Sequence, residues 1–176
     1  PLLELPFSFT LYAWVYPTTI GKGVQGILTK GVCDGEGGLG LYVDSGGLLA
    51  LSINGESGRT ERFRLSVPLS EGCWHAVAGT YDAHRREVCL HQEPVRSLPG
   101  DVAASHEHFR SNIRALPPTK NGLLFAGAWC RESTGPARVS KFFNGKIDRP
   151  SIFNQALSEA EIISLARGAS PLSFLP

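Results

Sequence analysis

The chain has no methionine and no apolar run approaching the length of a membrane-spanning helix. A bilayer span needs about 20 consecutive apolar residues, so a transmembrane helix is excluded. The start also lacks a basic segment followed by an apolar stretch and a small-residue cleavage site, so no signal peptide is visible. A chain that opens at Pro1 without an initiator predicts a domain of a longer protein or a processed product.

Charge is scarce and evenly balanced. Seventeen Lys and Arg residues stand against sixteen Asp and Glu residues, for a net charge of +1, and no basic block stands out. This balance does not indicate a nucleic acid or an anionic membrane as partner. With 42% hydrophobic residues among 176, the composition predicts one globular domain with a proper core.

The cysteines contain no closely spaced pair. Cys33, Cys73, Cys89 and Cys130 are widely separated, which excludes the tight pairs of zinc ribbons and redox motifs. Three disulfide connectivities exist and the spacing favours none. We expect four structural thiols in the reducing cytoplasm, with Cys89 a small buried thiol. One or two bridges in a secreted protein are the alternative.

Alternating apolar residues predict strands along most of the chain. The first runs over 7–16 and stops at Pro17, and because both of its faces carry large side chains, both are expected to be covered. Further strands are predicted at 25–30, 39–43, 48–53, 60–67, 74–81, 87–91, 123–127 and in one or two pieces over 146–153, interrupted by Pro150. Asn54-Gly55 is a strong hairpin signal.

Helical signals occur near the end of the chain. Ser158 and Glu161 have capping-box spacing, and Gly168 fits a helix stop, which predicts one short helix over 158–167. The segment 99–120 has weak periodicity and two adjacent prolines, and it is predicted to be a long loop. Many short strands with one helix indicate an all-β fold, namely a two-sheet antiparallel jelly-roll β-sandwich.

Three blocks of sequence resemble the concanavalin A-like, laminin G-like jelly rolls. They are FTLYAWVYP at 9–17, WHAVAGTYD at 74–82 and NGKID at 144–148, the last followed by IF at 152–153 and ALS at 156–158. These blocks occur in the family's order and cover almost the whole chain. The resemblance implies the concanavalin A-like sandwich.

A narrower resemblance is to the jelly-roll segment of the large subunit of bacterial N,N-dimethylformamidase. It rests on QGIL at 25–28, VAGTYD at 77–82, LLFAG at 123–127, NGKIDRP at 144–150 and ARG at 166–168. That family hydrolyses dimethylformamide to dimethylamine and formate. Its mononuclear iron is held by tyrosines and a glutamate in a separate catalytic domain, assembled with a small subunit.

The resemblance therefore implies a non-catalytic accessory domain of an amide hydrolase. Residues 1–169 are predicted to form the jelly roll, and 170–176 to begin a linker to a following domain. The expected partners are the catalytic domain of the same polypeptide and other subunits, and no cofactor is expected in this chain. The alternative is a secreted carbohydrate-binding or adhesion module, with calcium as an aid.

Acidic residues do not form the E-x-D-x-x-E strand motif of jelly-roll glycosidases. Asp44, Asp82 and Asp148 lie at strand ends or turns, where they typically accept backbone hydrogen bonds. The laminin G-like resemblance implies a structural calcium at Asp148, for which Glu4 is the only N-terminal acidic partner. Calcium needs six to eight oxygen ligands, so Asp148 capping a turn before Pro150 is the simpler interpretation.

Three further groups of residues are candidate sites. Tyr12, Trp14 and Tyr16 share one strand face and are candidates for stacking on a sugar ring, with burial of Trp14 as the alternative. Cys73 and His75 are interpreted as strand neighbours pointing to opposite faces, which predicts no nucleophile–base pair. His106 and His108 supply two imidazoles where zinc needs at least three protein ligands, so a solvated loop is expected there, with an interface to a catalytic neighbour as the alternative.

Overall fold

Short β-strands make up most of the chain in the computed structural model, which describes residues 7–31, 38–55, 58–95, 104–116, 123–130, 136 and 138–174. The strands are β1 (Phe9–Pro17), β2 (Gln25–Lys30), β3 (Leu39–Val43), β4 (Leu48–Asn54), β5 (Thr60–Pro68), β6 (His75–Asp82), β7 (Glu87–Pro94), β8 (Ser105–Arg110), β9 (Leu123–Phe125), β10 (Ala128–Cys130), β11 (Arg138–Ser140) and β12 (Gly145–Phe153). Helix α1 spans Glu159–Ala166, and a 3-10 turn spans Pro171–Phe174.

Two five-stranded sheets face each other. The first has the order β12-β1-β6-β7-β8 and the second β5-β4-β3-β2-β9, while β10 and β11 form a small hairpin. Every strand pairing in these sheets is antiparallel. The predicted two-sheet jelly-roll sandwich is thus confirmed.

The main core lies between the two sheets and follows from strand periodicity. Leu39, Leu41 and Val43 of β3 point inward, and Leu49 and Leu51 of β4 lie beside them. The residues between them point to the outer face of the second sheet, because successive side chains on a strand alternate. Because of this alternation, the residues between the core positions form the outer surface of the second sheet.

A second, smaller apolar cluster covers the outer face of the first sheet. Tyr12 of β1 and Ala78 of β6 pack there against Ile162 and Leu165 of α1. The helix begins with the predicted capping box: the Ser158 hydroxyl accepts from the backbone N–H of Glu161, whose carboxylate accepts from the N–H of Ser158. The helix is confirmed, as is the expectation that both faces of β1 are covered.

Residues 105–110 depart from the predicted loop. They form β8, an edge strand that pairs along its length with β7, and the loop prediction is wrong for this part. Phe109 is the inward apolar residue of this strand, and its ring packs 5.5 Å from that of Phe63. A single apolar residue among polar ones gives only a weak strand pattern in the sequence. Pairing with β7 holds this segment as a strand.

Pro150 does not divide the last strand as expected. β12 runs continuously through it at the edge of the first sheet, and the register against β1 shifts between Tyr12 and Trp14. Arg149 adopts a positive φ of 49° at this bulge. A proline is accommodated because an edge strand has one side without a ladder partner.

The residues after α1 return to the domain. The carbonyl of Phe174 accepts a hydrogen bond from Gln155 Nε2 at 2.8 Å, and its ring packs against the cluster beneath α1. The division into 1–169 and a linker at 170–176 stays a prediction. Among the described residues no helix is long and apolar enough to cross a membrane.

Candidate functional site

A groove of about 500 Å³ lies on the outer face of the second sheet. Its floor is made of small outward-facing residues, namely Gly26 of β2, Gly40 of β3, and Ala50 and Ser52 of β4. A side chain at Gly26 would collide with the backbone of Gly127, so this position needs glycine for space. The groove exists because small residues occupy the middle of a face whose edges carry long side chains.

The walls of the groove are cationic and aromatic. Arg62 and Arg64 of β5, Lys141 and the half-buried Tyr42 line it. Burial raises the pKa of Tyr42, which keeps its hydroxyl protonated as a hydrogen-bond donor. Asp44 lies 3.7 Å from the Arg64 guanidinium. Such a surface suits a ligand that combines hydroxyl groups with a negative charge.

The predicted sugar-stacking residues lie on the other sheet. Tyr12 is 1% exposed beneath α1, and its hydroxyl accepts a hydrogen bond from Trp14 Nε1 at 2.6 Å. Burial raises the pKa of Tyr12 to about 12. The guanidinium of Arg149 lies 4.1 Å from the centre of the Trp14 ring, and Tyr16 packs against Trp74. The ligand role of these three side chains stays a prediction.

The aspartates serve backbone hydrogen bonding. Asp44 accepts from the N–H groups of Gly46 and Leu48, and Asp82 accepts from two N–H groups in the next turn, as expected. Asp148 lies within β12 instead of at a turn, and its carboxylate accepts from the N–H of Arg149. Its Oδ2 is 3.9 Å from the Arg149 guanidinium.

The surroundings of Asp148 provide few of the oxygen ligands that a calcium ion needs. Calcium takes six to eight oxygen ligands, and Asp148 offers one carboxylate beside a guanidinium. Glu4 lies outside the described residues. Calcium at Asp148 therefore stays a prediction.

Cys73 and His75 are brought together, contrary to the sequence prediction. The two residues are two positions apart, so their side chains share a side, and Cys73 Sγ lies 3.0 Å from His75 Nε2. His75 is fully buried, and desolvation lowers its pKa. Its Nδ1 has no hydrogen-bond partner among the residues that the structure describes. The pair therefore lacks the third group that orients the base in a catalytic triad.

His106 and His108 lie on β8 instead of in a solvated loop, so that expectation is also wrong. Their Nε2 atoms are 3.2 Å apart. The thiol of Cys89, on the neighbouring strand β7, completes a group whose ligand atoms all lie within 4.8 Å of one another. Sequence reasoning treated the thiol and the two imidazoles separately, because only the β7–β8 pairing joins them.

Comparisons with known proteins agree with this architecture. The CBM40 domain of Ruminococcus gnavus IT-sialidase, solved bound to α2,3-sialyllactose, superposes with a TM-score of 0.68 at 16% identity. That match covers 92% of this chain and 83% of the solved chain, and at this identity it shows the fold.

Two relatives are N,N-dimethylformamidase beta subunits. The subunit from Paracoccus aminophilus is 29% identical over 178 residues and the one from Alcaligenes sp is 26% identical over 182 residues. Both matches cover 96% of this chain, which spans 23% of each relative. The family model for the concanavalin A-like lectin/glucanases superfamily matches residues 2–163. The chain therefore belongs to the concanavalin A-like lectin/glucanases superfamily.

Proposed function

We propose that this chain is a non-catalytic accessory domain of an N,N-dimethylformamidase-like amide hydrolase. The observation that carries the proposal is the alignment of 96% of the chain with 23% of a dimethylformamidase beta subunit. Nearly the full length of this jelly roll matches one part of a larger subunit. This is the pattern expected of one domain within such a subunit.

Among the described residues, the side chains also do not form a complete catalytic group for hydrolysis. The thiol–imidazole pair lacks an orienting group at His75 Nδ1. Asp44 and Asp82 are engaged by turn N–H groups. In this proposal the chemistry, including the iron, belongs to a separate catalytic domain, and the jelly roll packs against that domain and another subunit.

Phe142 is our candidate for a packing contact. It is 66% exposed, directly after Lys141 at the edge of the groove, and pairs through one bridge with Gly26. Exposed aromatics are enriched among the residues that dominate interfaces. A partner seated here would cover Phe142 and the groove edge together.

The test uses the natural protein, purified in full length, with its subunit composition, iron content and release of dimethylamine from dimethylformamide measured. We expect an iron-bearing complex of more than one subunit with amidase activity. In Phe142→Ser the fraction in the complex should fall about tenfold at limiting concentration. Leu172→Ser, at a position 73% exposed, is the control that should assemble normally. An inactive, iron-free protein of one subunit would contradict the proposal.

The groove supports a second candidate function, the binding of an acidic glycan. The supporting observation is the placement of Arg62, Arg64 and Tyr42 around a floor of small residues. A carboxylate-bearing sugar would pair with the guanidinium groups and stack or hydrogen-bond at the tyrosine. For a carbohydrate-binding module, we therefore expect the sugar to bind on the outer face of the second sheet.

This candidate is tested by calorimetric titration of the chain with α2,3-sialyllactose and with lactose. We expect binding of the sialylated sugar alone, weakened about tenfold or more in Arg62→Ala, because a charge-assisted contact is lost. Arg110→Ala, on the first sheet, is the matched control and should bind normally. Equal binding of lactose and sialyllactose, or none of either, would contradict an acidic-glycan site.

A further inference from the structure

The strand pairing of β7 with β8 gathers metal-binding side chains on one face. Cys89 lies directly opposite His108, and His91 lies directly opposite His106. Cross-strand partners point to the same face of a sheet, and so do residues two apart on one strand. All four side chains therefore lie on the face of the first sheet that carries α1, well away from the groove.

The Nε2 atoms of the two exposed histidines, His106 and His108, lie close to each other. His106 Nε2 and His108 Nε2 are 3.2 Å apart, and Cys89 Sγ and one ring nitrogen of each histidine all lie within 4.8 Å of one another. A tetrahedral zinc ion with Zn–N bonds of 2.0–2.1 Å holds its nitrogen ligands about 3.3 Å apart. The nitrogen pair is thus already at ligand spacing.

Both imidazoles have their other nitrogen next to a carboxylate. His106 Nδ1 is 2.9 Å from Glu159 Oε1, and His108 Nδ1 is 3.0 Å from Glu87 Oε1. An ionised carboxylate only accepts hydrogen bonds, so each Nδ1 carries a proton. In a neutral imidazole the Nε2 atom then presents a lone pair, and two lone pairs face each other across 3.2 Å. Such an arrangement requires a cation or an extra proton between the rings.

The carboxylate partners match the outer shell of known metal sites. Metal-bound histidine usually donates its second ring N–H to a carboxylate, which fixes the tautomer and the ring orientation. Glu159 comes from the first turn of α1 and Glu87 from β7, so two different elements orient the two rings. The described residues thus provide both ligands and orienting groups.

We propose that Cys89, His106 and His108 bind a divalent transition metal ion of the zinc class, with Glu87 and Glu159 as orienting groups. Three protein ligands leave the fourth tetrahedral position to water. Burial, with Glu159 and Glu87 nearby, raises the pKa of the Cys89 thiol to about 11. Coordination therefore releases the thiol proton to solvent as the metal–sulfur bond forms.

The site would join three elements of the fold. The ion connects β7 to the edge strand β8 through its ligands, and α1 through Glu159. Next to it, His91 is 3% exposed, and its Nε2 lies 3.6 Å from Glu93 Oε2. Its ring centre lies 6.3 Å from that of His106.

The test titrates the full chain, stripped of metal with a chelator and reduced, with zinc against a chromogenic competitor. Cobalt is then used to detect thiolate coordination by its sulfur-to-metal charge-transfer absorption. We expect one equivalent of zinc per chain and a charge-transfer band that disappears in Cys89→Ser. Glu87→Gln and Glu159→Gln should each weaken binding about 10–100-fold, the cost typical of orienting partners. His106→Ala should cost more.

His84→Ala is the matched control, since His84 is an exposed histidine in the turn after β6. It should bind zinc like the unaltered chain. Far-UV circular dichroism without metal shows whether each variant folds, so lost binding can be separated from lost structure. The proposal is overturned if folded, unaltered chain leaves all zinc with the competitor, or if His106→Ala and Cys89→Ser bind it unchanged.

Discussion

Leu51→Ala is expected to lower the free energy of unfolding by about 2–5 kcal/mol, the range for deleting a buried leucine side chain. Leu51 is 0% exposed on β4, directly opposite Leu41 of β3 and Phe63 of β5. Its methyl groups also reach across to Gly79 of the first sheet. The truncation thus opens a cavity at the point where the two sheets meet.

Urea unfolding at equilibrium measures this effect, with the denaturant dependence expected to stay unchanged. Leu172→Ala is the control, because that side chain is 73% exposed and its loss should change stability by no more than about 0.5 kcal/mol. Similar losses for both variants would show that Leu51 does not bridge the sheets.

Gly79 allows a stricter version of this experiment. A Cβ added there would lie 3.1 Å from Leu41 Cδ1 and 3.2 Å from Leu51 Cδ1. Gly79→Ala alone should therefore destabilise by crowding, by about 1–3 kcal/mol. The Leu51→Ala background removes the contact with Leu51 and keeps the one with Leu41, so crowding is partly relieved and the double variant should be more stable than the sum of the single effects predicts. If the two changes in unfolding free energy simply add, residues 79 and 51 are not in contact.

Tyr81→Phe is expected to cost about 1–3 kcal/mol of stability, although it removes a single oxygen atom. The Tyr81 hydroxyl donates to the carbonyl of Ile113 at 2.6 Å, and the two residues are 0% and 4% exposed. The phenylalanine leaves that carbonyl buried and unpaired. The same bond ties β6 to the segment after β8, where Ser111 and Asn112 hydrogen-bond to Glu61 of β5.

Tyr42→Phe is the matched control for this substitution. Its ring lies in the groove on the outer face of the second sheet, where water reaches the surface. Thermal and urea unfolding should separate the two tyrosines clearly. Equal effects would mean that the Tyr81 hydroxyl contributes nothing to the link between β6 and the segment after β8.

Strands whose two faces differ were predictable from sequence. β3 and β4 alternate inward aliphatic residues with the outward Gly40, Tyr42, Ala50 and Ser52, and their bounds agree with the structure to within a residue. α1 was predictable because its capping box is a local signal. β8 was missed since an edge strand with one inward aromatic lacks a clear period, and its pairing depends on β7, more than ten residues earlier.

The candidate sites were less accessible to sequence reasoning. The groove depends on what is small on an outward face, and Gly40, Ala50 and Ser52 carry no chemical signal by themselves. The group formed by Cys89, His106 and His108 depends on strand register, which brings residue 89 opposite residue 108. The Cys73–His75 contact was missed for a simpler reason: side chains two positions apart in an extended segment share a side.

The pairing of β1 has a consequence for how the chain reaches this fold. β1 lies between β6 and β12, and its residue Thr10 is opposite both Thr80 and Phe153. During synthesis the first strand must wait for almost the whole chain before its second neighbour exists. Contacts so distant in sequence slow folding, typically into the millisecond-to-second range of all-β sandwiches. Until β12 is synthesised, one edge of β1 lacks its strand partner and stays open to association with other chains.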